Sequence, residues 1–315
     1  MVIKYRFFLL LPYVRLRFFV AGLLMSMAVI ALPLNAEQLR VVTTTSDIAY
    51  LAKQVGRDLV VVEHLLPAGA DPHFADARPD YIVKLNRADI LALIGLDLEI
   101  GWLPAVIAQS RNPKIFTGAP GYCDTSVGVA VLDKPAKGAD RSMGDIHIYG
   151  NPHYWLDPLN AVIMARNLKD AMVRIDPAHK DQYQSNFHDL VERLRQLTKD
   201  QLSLATAIKG MQVAVYHNEF TYLANRFGFT IAVSIEEKPG VPPSAAYLQK
   251  VIEKMNQENI KLILLSPYSN QRYAQRVAEK TGAKIVVMPI SVGSISKVDS
   301  YEASIQTMIK LLIEK

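Results

Sequence analysis

The chain has 315 residues, of which 50% are hydrophobic and 21% charged, a balance typical of a folded protein with enough material for two separate cores. Four of the 35 basic residues and none of the 30 acidic residues precede residue 37, so the remainder is nearly neutral and does not indicate a nucleic-acid partner. The single cysteine, Cys123, excludes an intramolecular disulfide and a thiolate metal cluster.

The N-terminal segment has the pattern of an export signal. Its four basic residues precede the apolar run Phe18–Leu34, which is followed by the small residue Ala36. We therefore predict a signal peptide at residues 1–36, cleaved after Ala36, and a periplasmic mature protein. The alternative is an uncleaved membrane anchor, because a run of about 17 residues is near the short limit for a spanning helix.

Strand and helix patterns alternate from residue 39 onward. Apolar runs predict strands, and capped amphipathic segments predict helices: strands at Leu39–Thr43, Leu59–Leu66, Asp89–Ile94 and Lys114–Thr117, and helices at 46–55, Pro79–Asn86 and Leu159–Val173. This alternation favours a mainly parallel sheet with helices on both faces. Residues 118–146 have a weaker pattern, and Asp133–Asp140 is predicted to be an exposed, mobile loop.

A long helix is predicted from Pro177 to Lys209, where apolar residues recur at spacings of three and four without an internal proline. About thirty helical residues would form a rod of about 45 Å. The alternation then resumes, with strands at Met211–Tyr216, Thr230–Val233, Ile260–Leu265 and Lys284–Met288 and helices at Phe220–Phe227, Pro243–Gln257, Tyr273–Thr281 and Tyr301–Glu314. We predict an α/β fold of two lobes, 37–176 and 210–315, joined by one long rigid helix at 177–209.

Two X-Pro-His turns stand out in the first half, Asp71-Pro72-His73 and Asn151-Pro152-His153. Proline fixes its own φ and favours an extended residue before it, so each turn holds its imidazole from a stiff segment. The first turn follows a predicted strand, and open α/β sheets bind ligands at the carboxyl ends of their strands. A third imidazole, His217, directly follows the predicted strand Met211–Tyr216.

These three histidines predict a metal site. Zinc takes imidazole nitrogens at about 2.0–2.1 Å in a roughly tetrahedral set, whereas manganese prefers more oxygen ligands, so we predict zinc ahead of manganese. His147 lies six residues before His153 and could join the site or cover it. Asp71, Asp145 and Asp157 are near the histidines in sequence and could orient their rings, although Asp157 before Pro158 is also a typical helix cap.

Four segments resemble the metal-binding solute-binding proteins of bacterial ABC importers, the cluster A-I group that takes up zinc and manganese. They are Gly69–His73, Asn151–Pro158, His217–Gly228 and Glu236–Ser244, and they occur in the order found in that family. The resemblance implies two α/β lobes joined by a rigid helix that permits only a modest closing motion. It also implies a metal in the cleft between the lobes, delivery to a membrane permease, and no enzymatic activity.

The chain departs from this family's pattern after the last predicted strand. The family usually supplies a carboxylate ligand from that loop, which here reads Met288-Pro289-Ile290-Ser291-Val292-Gly293 and contains no Asp or Glu. The fourth ligand therefore stays open between Glu236, His147 and a water molecule.

Two other functions fit three histidines. A zinc-dependent hydrolase also uses three ligands and an open position, but no His-Glu-x-x-His motif or other zincin-like motif is visible in the sequence. A periplasmic metallochaperone that works without a permease cannot be separated from an importer component by sequence. For a shuttling carrier, a monomer is the simplest expectation.

Overall fold

The computed structural model describes residues 38–136 and 147–314. The predicted signal peptide, Asp145 and the end of the predicted loop Asp133–Asp140 lie outside these ranges. From Gln38 onward the chain forms one compact unit. Within the described ranges, every helix is too short or too polar to span a lipid bilayer.

Two four-stranded sheets organise the described part of the chain, and all their strand pairs are parallel. The first sheet contains β1 (Leu39–Thr43), β2 (Val60–His64), β3 (Ile90–Leu93) and β4 (Tyr122–Asp124), and the second contains β5 (Gln212–Val215), β6 (Thr230–Ser234), β7 (Leu262–Leu265) and β8 (Lys284–Val287). The strand orders are β2-β1-β3-β4 and β6-β5-β7-β8. Both halves therefore repeat one architecture, as predicted.

Helices flank both sheets. Those of the described ranges are α1 (Ser46–Gly56), α2 (Pro79–Asn86), α3 (Leu103–Ser110), α4 (Pro158–Ile175), α5 (Lys180–Leu204), α6 (Thr221–Phe227), α7 (Ala245–Gln257), α8 (Gln271–Thr281) and α9 (Tyr301–Ile313). Short 3₁₀ turns, Pro177–His179 and Ala205–Ile208, extend α5 at both ends, so the predicted long helix is confirmed. It packs along α4.

The predicted strand at Lys114–Thr117 is wrong. Pro113–Ile115 forms a 3₁₀ turn, because Pro113 favours a turn and the Asn112 side chain accepts a hydrogen bond from the backbone of Lys114 at 3.1 Å. Ile115 is buried there, so its apolar character reflects packing from a turn. The fourth strand is instead the short β4.

One hydrophobic core is shared by the two sheets. The strands alternate their side chains between two faces: Val41 faces this core, while Val42 faces a separate cluster on the other side of the first sheet. The shared core also contains Leu168 of α4, Leu194 of α5 and Val215 of β5. Both sheets are thus packed against common helices, which fixes the positions of the loops that follow their strands.

Candidate metal centre

The first X-Pro-His turn holds His73 by its own aspartate. Oδ1 of Asp71 accepts a hydrogen bond from the backbone N–H of His73 at 2.9 Å and lies 2.7 Å from Nδ1 of the same residue. Nε1 of Trp102 donates to the Pro72 carbonyl at 3.0 Å and fixes the turn from behind. The His73 ring is buried, and its Nε2 has no hydrogen-bond partner among the described residues.

The second turn repeats this geometry with an amide. Oδ1 of Asn151 accepts from the backbone N–H of His153 at 3.0 Å and lies 2.9 Å from its Nδ1. Because Nδ1 donates to this oxygen, the lone pair of the neutral imidazole is on Nε2. That Nε2 is also buried without a hydrogen-bond partner in the described part of the chain. Both turns therefore present an unprotonated Nε2 to the same region.

His217 comes from the second sheet and is held by a distant residue. It follows β5, and Glu236, which follows β6, places Oε2 at 2.8 Å from Nδ1 of His217. Adjacent parallel strands bring these two loops to the same sheet edge. This carboxylate orients the ring so that Nε2 is the nitrogen available for a ligand.

The three rings form a nearly equilateral group, called here the three-histidine group (His73, His153 and His217). Their ring centroids are 5.1, 5.2 and 5.3 Å apart. One nitrogen of each ring lies within 4.8 Å of the corresponding nitrogen of the others. Neutral imidazole nitrogens converging in this way provide the donor set of a zinc-type site.

Burial and neighbouring charges shift the pKa values of His153 and His217 in opposite directions. Burial lowers the pKa of His153 well below its usual value, and the nearby imidazoles act in the same direction. The pKa of His217 is raised, because burial, which acts to lower it, is outweighed by the hydrogen bond with Glu236 and the charge of Glu219. His153 is thus ready to bind a cation at neutral pH, while His217 retains a proton more readily.

Hydrogen bonds tie the second turn to the segment that carries His217. The Tyr222 hydroxyl donates to the Asn151 carbonyl at 2.8 Å, and Nδ2 of Asn151 donates to the Asn218 carbonyl at 2.8 Å. Arg226 of α6 forms two 2.8 Å bonds to the carboxylate of Asp157, which also caps α4. These contacts join the segments that carry His153 and His217 through protein groups alone.

A buried carboxylate lies beside the group. Glu219 is fully buried, its Oε2 accepts from the Tyr268 hydroxyl at 2.8 Å, and its Oε1 has no hydrogen-bond partner among the described residues. Burial raises its pKa to about 7, and the charge of His217 acts in the opposite direction. Glu219 and His217 are therefore close enough to influence each other electrostatically.

Two cavities adjoin the three-histidine group. One, of about 250 Å³, is lined by residues including His73, His217 and Glu236, and the other, of about 220 Å³, by residues including His147, His153 and His217. A cavity of about 770 Å³ in the first lobe contains none of these histidines, so size alone does not identify the site.

The remaining predicted site residues have different positions. The His147 ring is 5.2 Å from that of His73 and 6.3 Å from that of His153. Among the described residues, the set of possible ligand atoms that lie within 4.8 Å of one another comes from His73, His153 and His217. Neither His147 nor Glu236 contributes an atom to this set. Of the aspartates considered as orienting groups, Asp71 does contact its histidine, whereas Asp157 caps a helix.

Sequence reasoning missed several residues that support the site. Asn151 could have been identified, because Asp or Asn two residues before the histidine is the pattern of an Asx turn in both motifs. Glu219 and Asp133 carry no such local signal. Oδ2 of Asp133 accepts hydrogen bonds from the side chains of Asn151, Asn218 and Thr221 at 2.7 to 3.1 Å, which only the fold brings together.

A family model described as "ZnuA: Zinc-uptake complex component A periplasmic" matches residues 41–315. Among relatives, the manganese ABC transporter substrate-binding lipoprotein PsaA of Streptococcus anginosus is 25% identical over 292 residues, covering 89% of this chain and 89% of that protein. The high-affinity zinc uptake system protein ZnuA of Bacillus subtilis (strain 168) is 25% identical over 257 residues, covering 81% and 79%.

Solved structures share the fold. A crystal structure of ZnuA superposes with a TM-score of 0.72 at 22% identity, covering 88% of this chain and 98% of that chain. The solute-binding protein FpvC of Pseudomonas aeruginosa, in complex with Ni²⁺, gives a TM-score of 0.73 at 23% identity, covering 88% and 96%. At these identities the likeness extends to the two-lobed architecture.

Proposed function

Since this chain belongs to the ZnuA family of periplasmic zinc-uptake components, whose model spans residues 41–315, we propose that it captures Zn²⁺ between its two sheets. It is a solute-binding protein of a zinc or manganese ABC importer and not an enzyme. Its relatives ZnuA and PsaA are named as a zinc uptake protein and a manganese ABC transporter substrate-binding lipoprotein. The convergence of three buried imidazoles is the observation that carries the choice of site.

In this proposal, His73, His153 and His217 bind the ion through Nε2. Asp71, Asn151 and Glu236 hold the opposite ring nitrogen, at 2.7, 2.9 and 2.8 Å respectively, and so fix each ring's tautomer and direction. Buried nitrogen acceptors without a partner cost free energy, and a bound cation would satisfy them.

One of the three candidates for the fourth position is disfavoured by its contact with His217. The hydrogen bond between Glu236 and Nδ1 of His217 favours Glu236 as a positioning residue rather than as a ligand. His147, whose ring is 5.2 Å from that of His73, and a water molecule then compete for the position. A structure of the zinc complex decides between them.

Zinc is favoured over manganese by the donor set. The three convergent ligands are nitrogens, and manganese sites usually contain more oxygen. The relatives include proteins named for zinc and for manganese, so homology alone does not choose between the two metals.

The family assignment implies a membrane permease as partner, to which the loaded protein delivers its ion. We further propose that residues 1–36 are a cleaved signal peptide and that the mature protein works as a periplasmic monomer. Its lobes would comprise residues 37–176 and 210–315, with 177–209 between them.

The proposal is tested by His153→Ala. Removing a ligand should weaken Zn²⁺ binding in calorimetry by more than roughly 100-fold, beyond what the loss of an orienting group costs. His188→Ala, an exposed histidine on α5, is the matched control and should bind normally. Unchanged affinity in His153→Ala would refute the site.

A further inference from the structure

The first residues after β8, Met288–Gly293, adjoin the two histidine turns and contain no carboxylate. The Ile290 carbonyl accepts a hydrogen bond from Nε1 of Trp155 at 2.9 Å, and the Ser291 hydroxyl accepts from the backbone N–H of Gly69 at 3.2 Å. Trp155 packs on His153, with ring centroids 5.2 Å apart. These residues thus bind the segments beside both histidine turns through a carbonyl and a hydroxyl group.

A carboxylate is nevertheless buried next to the site, two residues after His217. The backbone N–H of Glu219 donates to the His217 carbonyl at 2.8 Å. Tyr268, whose hydroxyl binds Oε2 of Glu219, lines the same cavity as His73 and His217. This arrangement holds the carboxylate directly behind the wall of the metal centre.

The second oxygen of this carboxylate is only weakly satisfied by the protein. Oε1 of Glu219 is fully buried and has no hydrogen bond of normal geometry in the described part of the chain, as is also true of Nε2 of His73 and Nε2 of His153. Burial raises the pKa of this carboxyl and the Ser266 side chain acts to lower it, but the Ser266 hydroxyl is engaged with that of Ser269 at 2.6 Å. A buried polar atom without a partner costs free energy, so its retention calls for a function. A cation held by the three imidazoles would provide the missing favourable interaction.

We propose that Glu219 is a specificity-determining residue whose carboxylate faces the three-histidine group without ligating the ion, and favours a divalent over a monovalent cation there. The inference rests on the proposed function, because it assumes that the three imidazoles bind the ion. Its separation from the ligands follows from the geometry: no Glu219 oxygen belongs to the group of ligand atoms within 4.8 Å of one another.

Coulomb's law gives this role a quantitative signature. The interaction between the carboxylate and the ion is proportional to the charge of the ion, so it is twice as large for Zn²⁺ as for Cu⁺ at one position. Asp71 and Glu236 add charge of the same sign through the imidazoles that they contact, so the contribution of Glu219 is isolated by replacing Glu219 alone. Loss of the carboxylate should therefore reduce the affinity for Cu⁺ by about the square root of the factor lost for Zn²⁺.

The test compares both ions in Glu219→Gln at pH 8. Zn²⁺ affinity is measured by competition with a chromogenic chelator, and Cu⁺ affinity in the same way under anaerobic, reducing conditions. We expect Zn²⁺ binding to weaken by roughly 10- to 100-fold and Cu⁺ binding by only about 3- to 10-fold. Unchanged Zn²⁺ affinity, or an equal factor for the two ions, would overturn the proposal, since displacement of His217 would affect both alike.

Two further measurements separate the buried charge from surface charge and from ligation. Glu237→Gln removes an exposed carboxylate from the same lobe, so it should retain Zn²⁺ affinity within about threefold; a loss as large as that of Glu219→Gln counts against the proposal. The Co²⁺ absorption bands should be the same in wild type and Glu219→Gln, because altered bands would show that Glu219 is a ligand.

The two variants His153→Ala and Glu219→Gln distinguish an error in this inference from an error in the proposed function. If His153→Ala abolishes Zn²⁺ binding while Glu219→Gln leaves it unchanged, the site stands and the role of Glu219 is wrong. If Glu219→Gln does not fold, Glu219→Leu removes the charge without adding a buried donor, and the same ratio of affinities applies.

Discussion

Each imidazole of the three-histidine group has one nitrogen engaged by the protein and the other directed toward its neighbours. For His73 and His153 the engaging oxygen belongs to a residue two positions earlier, so the arrangement is local and follows from the Asx-Pro-His sequence. For His217 the oxygen belongs to Glu236, 19 residues later. The first two orienting contacts were therefore accessible to sequence reasoning, and the third depends on the pairing of β5 with β6.

The raised pKa of His217 predicts how zinc binding depends on pH. A proton on His217 must leave when the ion binds, so Zn²⁺ affinity should fall as the pH drops through this raised value. In Glu236→Gln the hydrogen bond to a carboxylate is lost and burial dominates, so the fall should move to lower pH, while affinity at pH 8 decreases by roughly 10- to 100-fold.

Calorimetric Zn²⁺ titrations between pH 5.5 and pH 8 measure the pH dependence of affinity in the wild type and in Glu236→Gln. A wild-type profile that matches that of Glu236→Gln would show that the carboxylate does not control His217.

The His217–Glu236 pair should also stabilise the metal-free protein. This contribution should be fully present below the ordinary histidine pKa and should be lost as the pH rises through the raised pKa of His217.

At the scale of elements, Asp157 both caps the start of α4 and connects α4 to α6. Asp157 accepts from the backbone N–H of Leu159 at 2.9 Å and so caps α4, and it also binds Arg226 of α6 through both oxygens. Sequence reasoning identified the cap from Asp157-Pro158. The partner on α6 had no sequence signal, because an ion pair between distant helices depends on how the two lobes pack.

Asp157→Ala should be strongly destabilising. The substitution removes the helix cap and leaves the partly buried Arg226 without its partner, which together should lower the free energy of unfolding by about 3 kcal/mol. Urea denaturation measures the change. Asp189→Ala, which breaks an ion pair whose side chains are 51% and 54% exposed, should cost less than about 1 kcal/mol. Equal losses in the two variants would contradict this reasoning.

Element boundaries show where sequence patterns stop being informative. Seven of the eight strands in the described ranges were predicted, because they are mainly apolar runs between turn signals, whereas the short β4 was not. The helix α3, Leu103–Ser110, was not predicted, and the turn at Pro113–Ile115 was taken for a strand. Both segments are short and apolar, and their structure is decided by burial against the first sheet rather than by periodicity.

At the scale of the whole molecule, the two sheets depend on one another through their common core. Leu168 and Leu194 on the long helices are fully buried in the same cluster as Val41 of the first sheet and Val215 of the second. The periodicity of α5 predicted that it was long and amphipathic. It did not reveal that its apolar face serves both sheets, because a single sequence does not specify which elements a face contacts.

Zinc should stabilise the entire molecule, because the proposed ligands come from loops of both sheets. At a free Zn²⁺ concentration 100 times the dissociation constant, binding to the native state alone adds about 2.7 kcal/mol to the free energy of unfolding. Scanning calorimetry should therefore show one transition that moves to higher temperature with Zn²⁺ and returns when a chelator is added. His153→Ala should show no such movement, and an equal response in that variant would place the stabilising ion elsewhere.

The common core also limits how this protein can be engineered. If the chain were divided near Pro177 to make a two-part metal sensor, each fragment would expose the apolar surface that the other normally covers. Such fragments would aggregate before they could report on an ion. A reporter is better inserted at a surface loop, with the polypeptide left continuous through its longest helix.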